Sequence, residues 1–303
     1  MDGVVNIRKT SGPTSHDVVY DIRRIFGQKR VGHAGTLDPM ATGVLVVCLG
    51  KATRFVEYLM GTTKEYIAEM VLGQSTDSED STGTIISETD ASSVTREALE
   101  SAIKSFVGEI TQIPPMVSAV KHEGQRLYKL ARQGKSVERK GRQVTIHSID
   151  LLDFTAGKLA QARIRVKCSS GTYIRTLCSD IGDTLGCGAH MSALERTRVG
   201  SFTIENAVTI DQLYTAKDEG RLDSLVTDIN TALCEMPSVT LSDQGADDIR
   251  YGRPAVIGDE HETGKTVRAL SFDGELLAIG EVVDLDGSRV LKPKKVLCVM
   301  DMD

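Results

Sequence analysis

The residues with the clearest capacity for chemistry lie in one short loop. Asp38 stands between Leu37 and Pro39 inside the run G-H-A-G-T-L-D-P-M-A-T-G, residues 32–43. An Asp before Pro is, by itself, an ordinary turn former. This one belongs to a loop over residues 31–43 that contains Gly32, Gly35 and Gly43 and feeds an apolar run at 44–49. A tight, glycine-punctuated loop entering a buried strand is where functional side chains are displayed. Other residue types exclude other chemistries. His16, His33, His122, His147, His190 and His261 form no H-x-x-x-H or H-E-x-x-H pattern, so no metal centre is expected. Cys48, Cys168, Cys178, Cys187, Cys234 and Cys298 contain no C-x-x-C and read as reduced, buried thiols. Gly264-Lys265-Thr266 follows Gly258, one residue too far for a phosphate-binding loop, and reads as a turn. Gly186-x-Gly188 is followed by Met191 where a dinucleotide fingerprint needs Gly or Ala, and reads as a helix stop.

The loop needs elements on both sides to hold it. Residues 14–27 predict a helix, with Thr14 or Ser15 as the cap, Val18, Ile22, Ile25 and Phe26 as its apolar stripe, and Gly27 as its stop. Residues 44–49 predict the buried strand that follows. Alternation over 65–72 predicts a half-buried strand, and 95–107 a helix with Ala98, Leu99, Ala102, Ile103, Phe106 and Val107 on one face. Residues 162–168 alternate Ala, Ile, Val and Cys against Arg163, Arg165 and Lys167, a strand with one apolar and one basic face. Ser169-Ser170-Gly171 then turns into a helix striped by Ile174, Leu177, Cys178, Ile181 and Leu185. Strands and helices mix without a regular βαβ repeat, which predicts an α+β fold. After Pro237 short strands at 266–270, 276–283, 289–291 and 296–299 predict a small β-barrel-like unit. The expected domains are 1–236 and 237–303.

Charge is distributed unevenly along the 303 residues. Residues 201–303 carry 10 Lys+Arg and 20 Asp+Glu, a balance of −10, so residues 1–200 carry 26 and 22, a balance of +4, against −6 for the whole. Lys121, Arg126, Lys129, Arg132, Lys135, Arg139, Lys140 and Arg142 concentrate positive charge in residues 121–145. Such a run is either a solvated surface or a phosphate-binding segment. At 40% apolar and 26% charged residues the chain is an ordinary globular one. Its apolar runs fall far short of the roughly 20 residues of a spanning helix, and residues after Asp2 form no leader, so a cytoplasmic protein is expected.

The Asp38 loop resembles the catalytic loop of the bacterial TruB-type tRNA pseudouridine synthases. The resemblance continues through Lys9-x-x-Gly12-Pro13-Thr14-Ser15, Gly50-Lys51-Ala52-Thr53, Lys64-Glu65-Tyr66, the 112–119 segment with Lys121, Arg126-Leu127-Tyr128, 168–175 and 185–190, in order over about residues 8–200. Leu291-Lys292-Pro293-x-Lys295-Val296 resembles the PUA-type RNA-binding domain often appended to that family. Met116-Val117 departs from the family, which carries an aromatic beside Ser118-Ala119.

The resemblance implies a mixed, mainly antiparallel sheet with flanking helices and a C-terminal PUA-like β-barrel. It implies isomerisation of uridine 55 in the tRNA T-loop after base flipping, without cofactor or metal. Asp38 would be the indispensable carboxylate, suited to breaking and remaking a glycosidic bond. Arg175 would pair with it and keep it ionised. Tyr66 would stack on the base and Tyr173 and Leu194 line its pocket. His33 would fill the space that the flipped nucleotide leaves. Lys9, Lys121, Arg126, Lys129 and Arg132 would contact RNA, the last four in an RNA-clasping insertion at about 121–145, with Arg163, Arg165 and Lys167 as possible additions. The implied partner is the T-arm and elbow of tRNA, bound by a monomer away from any membrane. Alternatives are a synthase with another RNA target and an RNA chaperone that folds tRNA without catalysis.

Overall fold

The computed structural model describes residues 1–116, 118, 121, 122, 124–126 and 137–297. Two sheets organise the chain. The larger contains β1 (Gly3–Lys9), β2 (Val31–His33), β3 (Thr42–Leu49), β4 (Lys64–Leu72), β7 (Gly108–Gln112), β10 (Arg142–Thr155), β11 (Gln161–Cys168), β12 (Ala189–Val199) and β13 (Phe202–Thr203). Its order is β1-β3-β12-β4-β11-β10-β7, with β2 on β3 and β13 on β12. Every pairing is antiparallel except that of β12 with β3. Two small hairpins, β5 (Gln74–Thr76) with β6 (Ile85–Glu88) and β8 (Lys121–His122) with β9 (Gln125–Arg126), lie outside it. The second sheet takes β14 (Ser238–Thr240), β15 (Ala255–Val256), β16 (Thr266–Leu270), β17 (Leu276–Leu285) and β18 (Ser288–Val296) in the order β14-β16-β17-β18-β15.

Helix α1 (Ser15–Phe26) forms as its sequence dictates. Thr14 and Asp17 make a reciprocal capping box, and Gly27 ends the helix in the left-handed region at φ 61°. Its buried face, Val18, Val19, Ile22 and Ile25, packs on Val5 and Ile7 of β1 and Leu45, Val47 and Leu49 of β3. Each such side chain contributes up to about 1.5–3 kcal/mol. A second core lies between the other half of the sheet and two helices. There Ala68 and Met70 of β4, Ile164 and Val166 of β11 and Met191 of β12 meet Leu99 and Ile103 of α3 (Arg96–Lys104) and Ile174, Leu177 and Ile181 of α4 (Ile174–Thr184). α2 (Val56–Met60) is a short connector after the 3-10 turn Gly50–Phe55.

Several expectations are corrected. α3 stops at Lys104, because residue 108 is a glycine at φ 113° opening β7, and Val107 is exposed rather than on an apolar stripe. The strand expected at 289–291 runs on to Val296 as one strand, β18, while residues 298–299 of the strand expected at 296–299 lie outside the described residues; a register shift between Ile279 and Gly280 of β17 accommodates Pro293. Cys234 is exposed while Cys48, Cys168, Cys178 and Cys187 are buried and free, and Cys298 lies outside the described residues. On the basic face of β11, Arg163 stands opposite Glu69 and Asp153, Arg165 opposite Asp150, and Lys167 opposite Glu65.

Candidate active site

Asp38 lies between β2 and β3, and side chains from other elements hold its loop by the backbone. Ser15, the first residue of α1, accepts from Leu37 N at 2.9 Å and donates to Leu37 O at 3.1 Å. Lys9, at the end of β1, donates through Nζ to Ala41 O at 2.7 Å, Thr10 O at 2.9 Å and Pro39 O at 3.1 Å. Arg196 of β12 donates to Gly35 O at 3.1 Å and, more weakly, to Thr36 O at 3.4 Å. The carbonyls on both sides of Asp38 are thus engaged, and the loop is fixed before any ligand arrives. Lys9 was expected to touch RNA; it is buried and bonded to loop carbonyls instead, so its role is to shape the loop. Burial pulls its amine down to about 8, against the attraction of Asp38, with Arg196 lowering it further.

Arg175 sits in the first turn of α4 with its guanidinium between two carboxylates. Nη2 lies 3.4 Å from Asp38 Oδ2 and Nη1 lies 3.1 Å from Asp80 Oδ2. The two acids differ in their surroundings. Asp80 is 3% exposed in its side chain and receives Ser78 Oγ at 2.8 Å, Thr82 N at 3.0 Å and Thr82 Oγ1 at 2.5 Å. Burial alone would raise Asp80, but these hydrogen bonds and Arg175 outweigh it and hold the carboxyl below its ordinary value. Asp38 is 37% exposed in its side chain. Its carboxyl moves up, because desolvation and the charge of Asp80 outweigh Arg175, Lys9 and Arg196. The result is two acids on a shared arginine whose pKa values move in opposite directions, Asp80 down and Asp38 up.

Of the remaining candidates, Tyr66 and Leu194 form an apolar wall beside this trio. Tyr66 of β4 and Leu194 of β12 belong to one apolar cluster with Leu37, Ile174 and, half-buried, Met40. Burial raises the Tyr66 phenol, and the guanidinium of Arg196 beside it acts in the opposite sense. Tyr173 precedes α4, and its backbone is gripped by the buried amide of Gln112, which accepts from Tyr173 N at 2.9 Å and donates to Tyr173 O at 3.2 Å. His33 ends β2 with its ring edge-on to His16, centroids 5.4 Å apart. Burial lowers its pKa to about 4, so the imidazole is neutral, and its Nδ1 is buried with no partner among the described residues. Lys121 and Arg126 fall on β8 and β9, and Lys129 and Arg132 lie outside the described residues.

Three residues of this site escaped sequence reasoning. Asp80 lies in Asp77-Ser78-Glu79-Asp80-Ser81-Thr82-Gly83, which has the composition of a solvated turn. Arg196 stands among Glu195 and Arg198 and looks like a surface charge; the signal was its spacing of two from Leu194, which puts it on the inward face of a strand. Gln112 opens the 112–119 segment of the resemblance, which assigned it no role.

The chain is similar to known proteins in both fold and sequence. The fold matches a chain of the archaeal box H/ACA sRNP Nop10-Cbf5 complex, with TM-score 0.75 and 28% identity over 99% of this chain and 87% of that one. A Cbf5-Nop10-Gar1 complex matches at TM-score 0.77 and 31% identity over 97% and 84%. Family models set the class as pseudouridylate synthase: the TruB family N-terminal domain matches residues 23–174, and the tRNA pseudouridylate synthase B C-terminal domain matches 175–234. The tRNA pseudouridine synthase B of Geotalea uraniireducens is 42% identical over 310 residues, covering 100% of this chain and 99% of the relative. That of Dehalococcoides mccartyi is 50% identical over 244 residues, 80% of each chain. The chain belongs to the TruB family of pseudouridylate synthases. The second sheet begins at Ser238, beyond both matched models, and its curled five-stranded form is consistent with the expected PUA-like unit.

Proposed function

We propose that this chain, which as a TruB-family enzyme isomerises uridine to pseudouridine in tRNA, acts at uridine 55 of the T-loop with Asp38 as its catalytic carboxylate. The observation that carries the assignment is the placement of Asp38 3.4 Å from a buried arginine at the mouth of an apolar wall. The N1–C1′ bond breaks, the detached uracil turns against Tyr66 and Leu194, C5 bonds to C1′, and the C5 proton leaves as N1 gains one. Atoms balance within the nucleotide, as an isomerisation requires. Arg175 aims Asp38 and Asp80 anchors Arg175. The base must leave the stack to reach this wall, and neutral His33 is suited to fill the apolar space it vacates.

Binding follows T-arm shape and the elbow backbone rather than a long read sequence. Residues 1–236 form the catalytic unit, 237–303 a PUA-like unit, and 121–145 the cationic clasp; the enzyme works as a cytoplasmic monomer. Among the described residues no helix is long and apolar enough to cross a membrane.

The test is tritium release from an unmodified tRNA transcript labelled at uracil C5, run beside Asp38→Asn and beside a transcript with cytidine at position 55. Release that requires both Asp38 and the target uridine supports the assignment. Release from the cytidine 55 transcript places the target elsewhere. Absence of release with tight tRNA binding would replace the catalytic reading with that of an RNA chaperone.

A further inference from the structure

The nine-stranded sheet consists of two halves joined along β12. β1, β2 and β3 carry the Asp38 loop; β4, β11, β10 and β7, with α4 packed on them, carry Tyr66 and Arg175. β12 runs antiparallel along β4 from Ala189 to Val199 and meets β3 in parallel where Glu195 faces Thr42 and Arg196 faces Gly43. The separation of the reactive carboxylate from the aromatic wall is therefore set across a short contact. A glycine makes the contact possible: residue 43 has φ 101°, and a Cβ there would lie 2.2 Å from Arg196 O.

Arg196 occupies this seam. At 1% exposure it heads the largest fully buried side chains, and among the described residues no carboxylate pairs with it. Its three guanidinium nitrogens donate to backbone: Nε to Val44 O at 2.7 Å, Nη2 to Gly35 O at 3.1 Å and Nη1 to Thr36 O at 3.4 Å. All three acceptors belong to the half that carries Asp38. Its own Cα stands opposite Tyr66 in the other half, and its guanidinium lies beside the Tyr66 hydroxyl. Burying a cation without a carboxylate is costly, and an apolar side chain of similar volume would fill a seam at less cost. Packing alone does not account for an arginine here.

We infer that Arg196 is a positioning residue for the isomerisation, tying the Gly35–Thr36 backbone to the strand that carries Tyr66 and so fixing Asp38 against the base-binding wall. The inference rests on the proposed roles of Asp38 and Tyr66. Lys9 and Ser15 hold the far side of the loop from within its own half; Arg196 ties the Gly35–Thr36 backbone across the halves, as Arg175 does the Asp38 carboxylate.

Arg196→Lys, Arg196→Met and each of them combined with Tyr66→Phe, assayed well below each variant's melting temperature, test it. A misplacement of about 1 Å costs on the order of 100-fold, so kcat of Arg196→Met should fall by about that factor with KM within about threefold. Arg196→Lys keeps the charge without the fork and should recover no more than about tenfold of the loss. Tyr66→Phe should cost less in either Arg196 background than in the wild type, because the two residues act on one geometry. Should Arg196→Met fail to fold, Arg196→Lys and its Tyr66→Phe double variant carry the same comparison. A folded Arg196→Lys with wild-type kcat, a loss confined to KM, or strictly additive double variants would each overturn the inference. Asp38→Asn is run in parallel. If it is active, the site reading itself fails; if it is inactive while the Arg196 variants are not, the failure belongs to the Arg196 role alone.

Discussion

In the nine-stranded sheet and its loops Lys9, Lys64, Asp80, Gln112, Arg175 and Arg196 are buried, whereas among the described residues after Met236 the one buried polar side chain is Ser271. The core of the second sheet is apolar throughout, with Val239, Leu241, Ile249, Val267, Leu277, Val282 and Leu291. Its charges pair at the surface, as in Lys294 with Glu281 and Arg253 with Asp248. Buried polar groups cost desolvation and are kept where a backbone has to be held in a conformation that apolar packing does not specify. The first region uses four of them around one loop, where Lys9 and Arg196 bond its carbonyls and Asp80 holds Arg175, which faces its carboxylate. Gln112 grips the Tyr173 backbone, and Lys64 bonds Met60 O and Thr62 O. The second region holds its sheet with an apolar core.

The sharpest way to break this contrast is at the two acids on Arg175. Asp38→Asn should reduce turnover by on the order of 10⁴-fold, as removal of a group that acts directly on the reacting bond does. Its effect on stability runs the other way. A carboxyl whose folded pKa lies above its unfolded value binds its proton more tightly in the folded state, so its ionisation at neutral pH disfavours folding. Thermal unfolding at pH 7 should therefore show a melting temperature for Asp38→Asn equal to or above that of the wild type. A lower one would make Asp38 a structural residue.

Asp80→Asn reverses that pattern. The folded pKa of Asp80 is depressed, so its ionised form contributes stability above the unfolded pKa that is lost as pH falls through the folded value. Removing Asp80 takes from Arg175 the more buried of its two carboxylates and leaves the more exposed Asp38 at 3.4 Å, and the variant should lose about 3 kcal/mol by denaturant titration. Turnover should fall by roughly 100-fold, because Arg175 no longer has a fixed aim. Equal stability at pH 7 would show that Asp80 is no anchor.

A smaller effect is expected in the pH profile. The Asp38 carboxyl lies above the ordinary carboxylate range, so the acid limb of kcat/KM should fall away at a pH higher than a free aspartate would give. Substituting Lys9 by Met removes a positive charge that favours ionised Asp38 and should move that limb further up. A limb at the free aspartate position would mean that the loop does not desolvate Asp38.

The elements with strong local rules were legible: α1 from its capping box and Gly27, β4 and β11 from alternation, and α4 from its stripe. The Asp38 and Arg175 pairing was legible through the resemblance, and the distance of 3.4 Å agrees with it. β12 and most of β10 were not anticipated, and neither were Asp80 and Arg196. Their side chains are inward-facing charges, and a charged residue in a single sequence carries no sign of whether water or a backbone carbonyl will satisfy it. Lys9 shows the same limit from the other direction, since a lysine expected on RNA is occupied by three carbonyls.

The second sheet is joined to the first by two kinds of contact that differ in what they contribute. Leu276 and Ile279 enter the same apolar cluster as Val4, Val44, Val46, Phe55 and Phe202, while Lys295 reaches Glu57 at 2.6 Å and Arg54 O at 3.0 Å. Deletion from Pro237 would strip that apolar face and confound binding with unfolding, so a point substitution is the better probe. Lys295 is 33% and Glu57 59% exposed in their side chains, a surface pair, and pairs of that kind are worth roughly 0–1 kcal/mol. Lys295→Ala should therefore change unfolding free energy by less than about 1 kcal/mol and leave kcat unchanged, with apolar contact alone keeping the sheets docked. Ile279→Ala, by contrast, should cost about 2–5 kcal/mol, as truncation of a buried isoleucine does. If Lys295→Ala proves the more damaging of the two, docking is electrostatic, and the division between a polar region that positions and an apolar region that supports does not hold at their boundary.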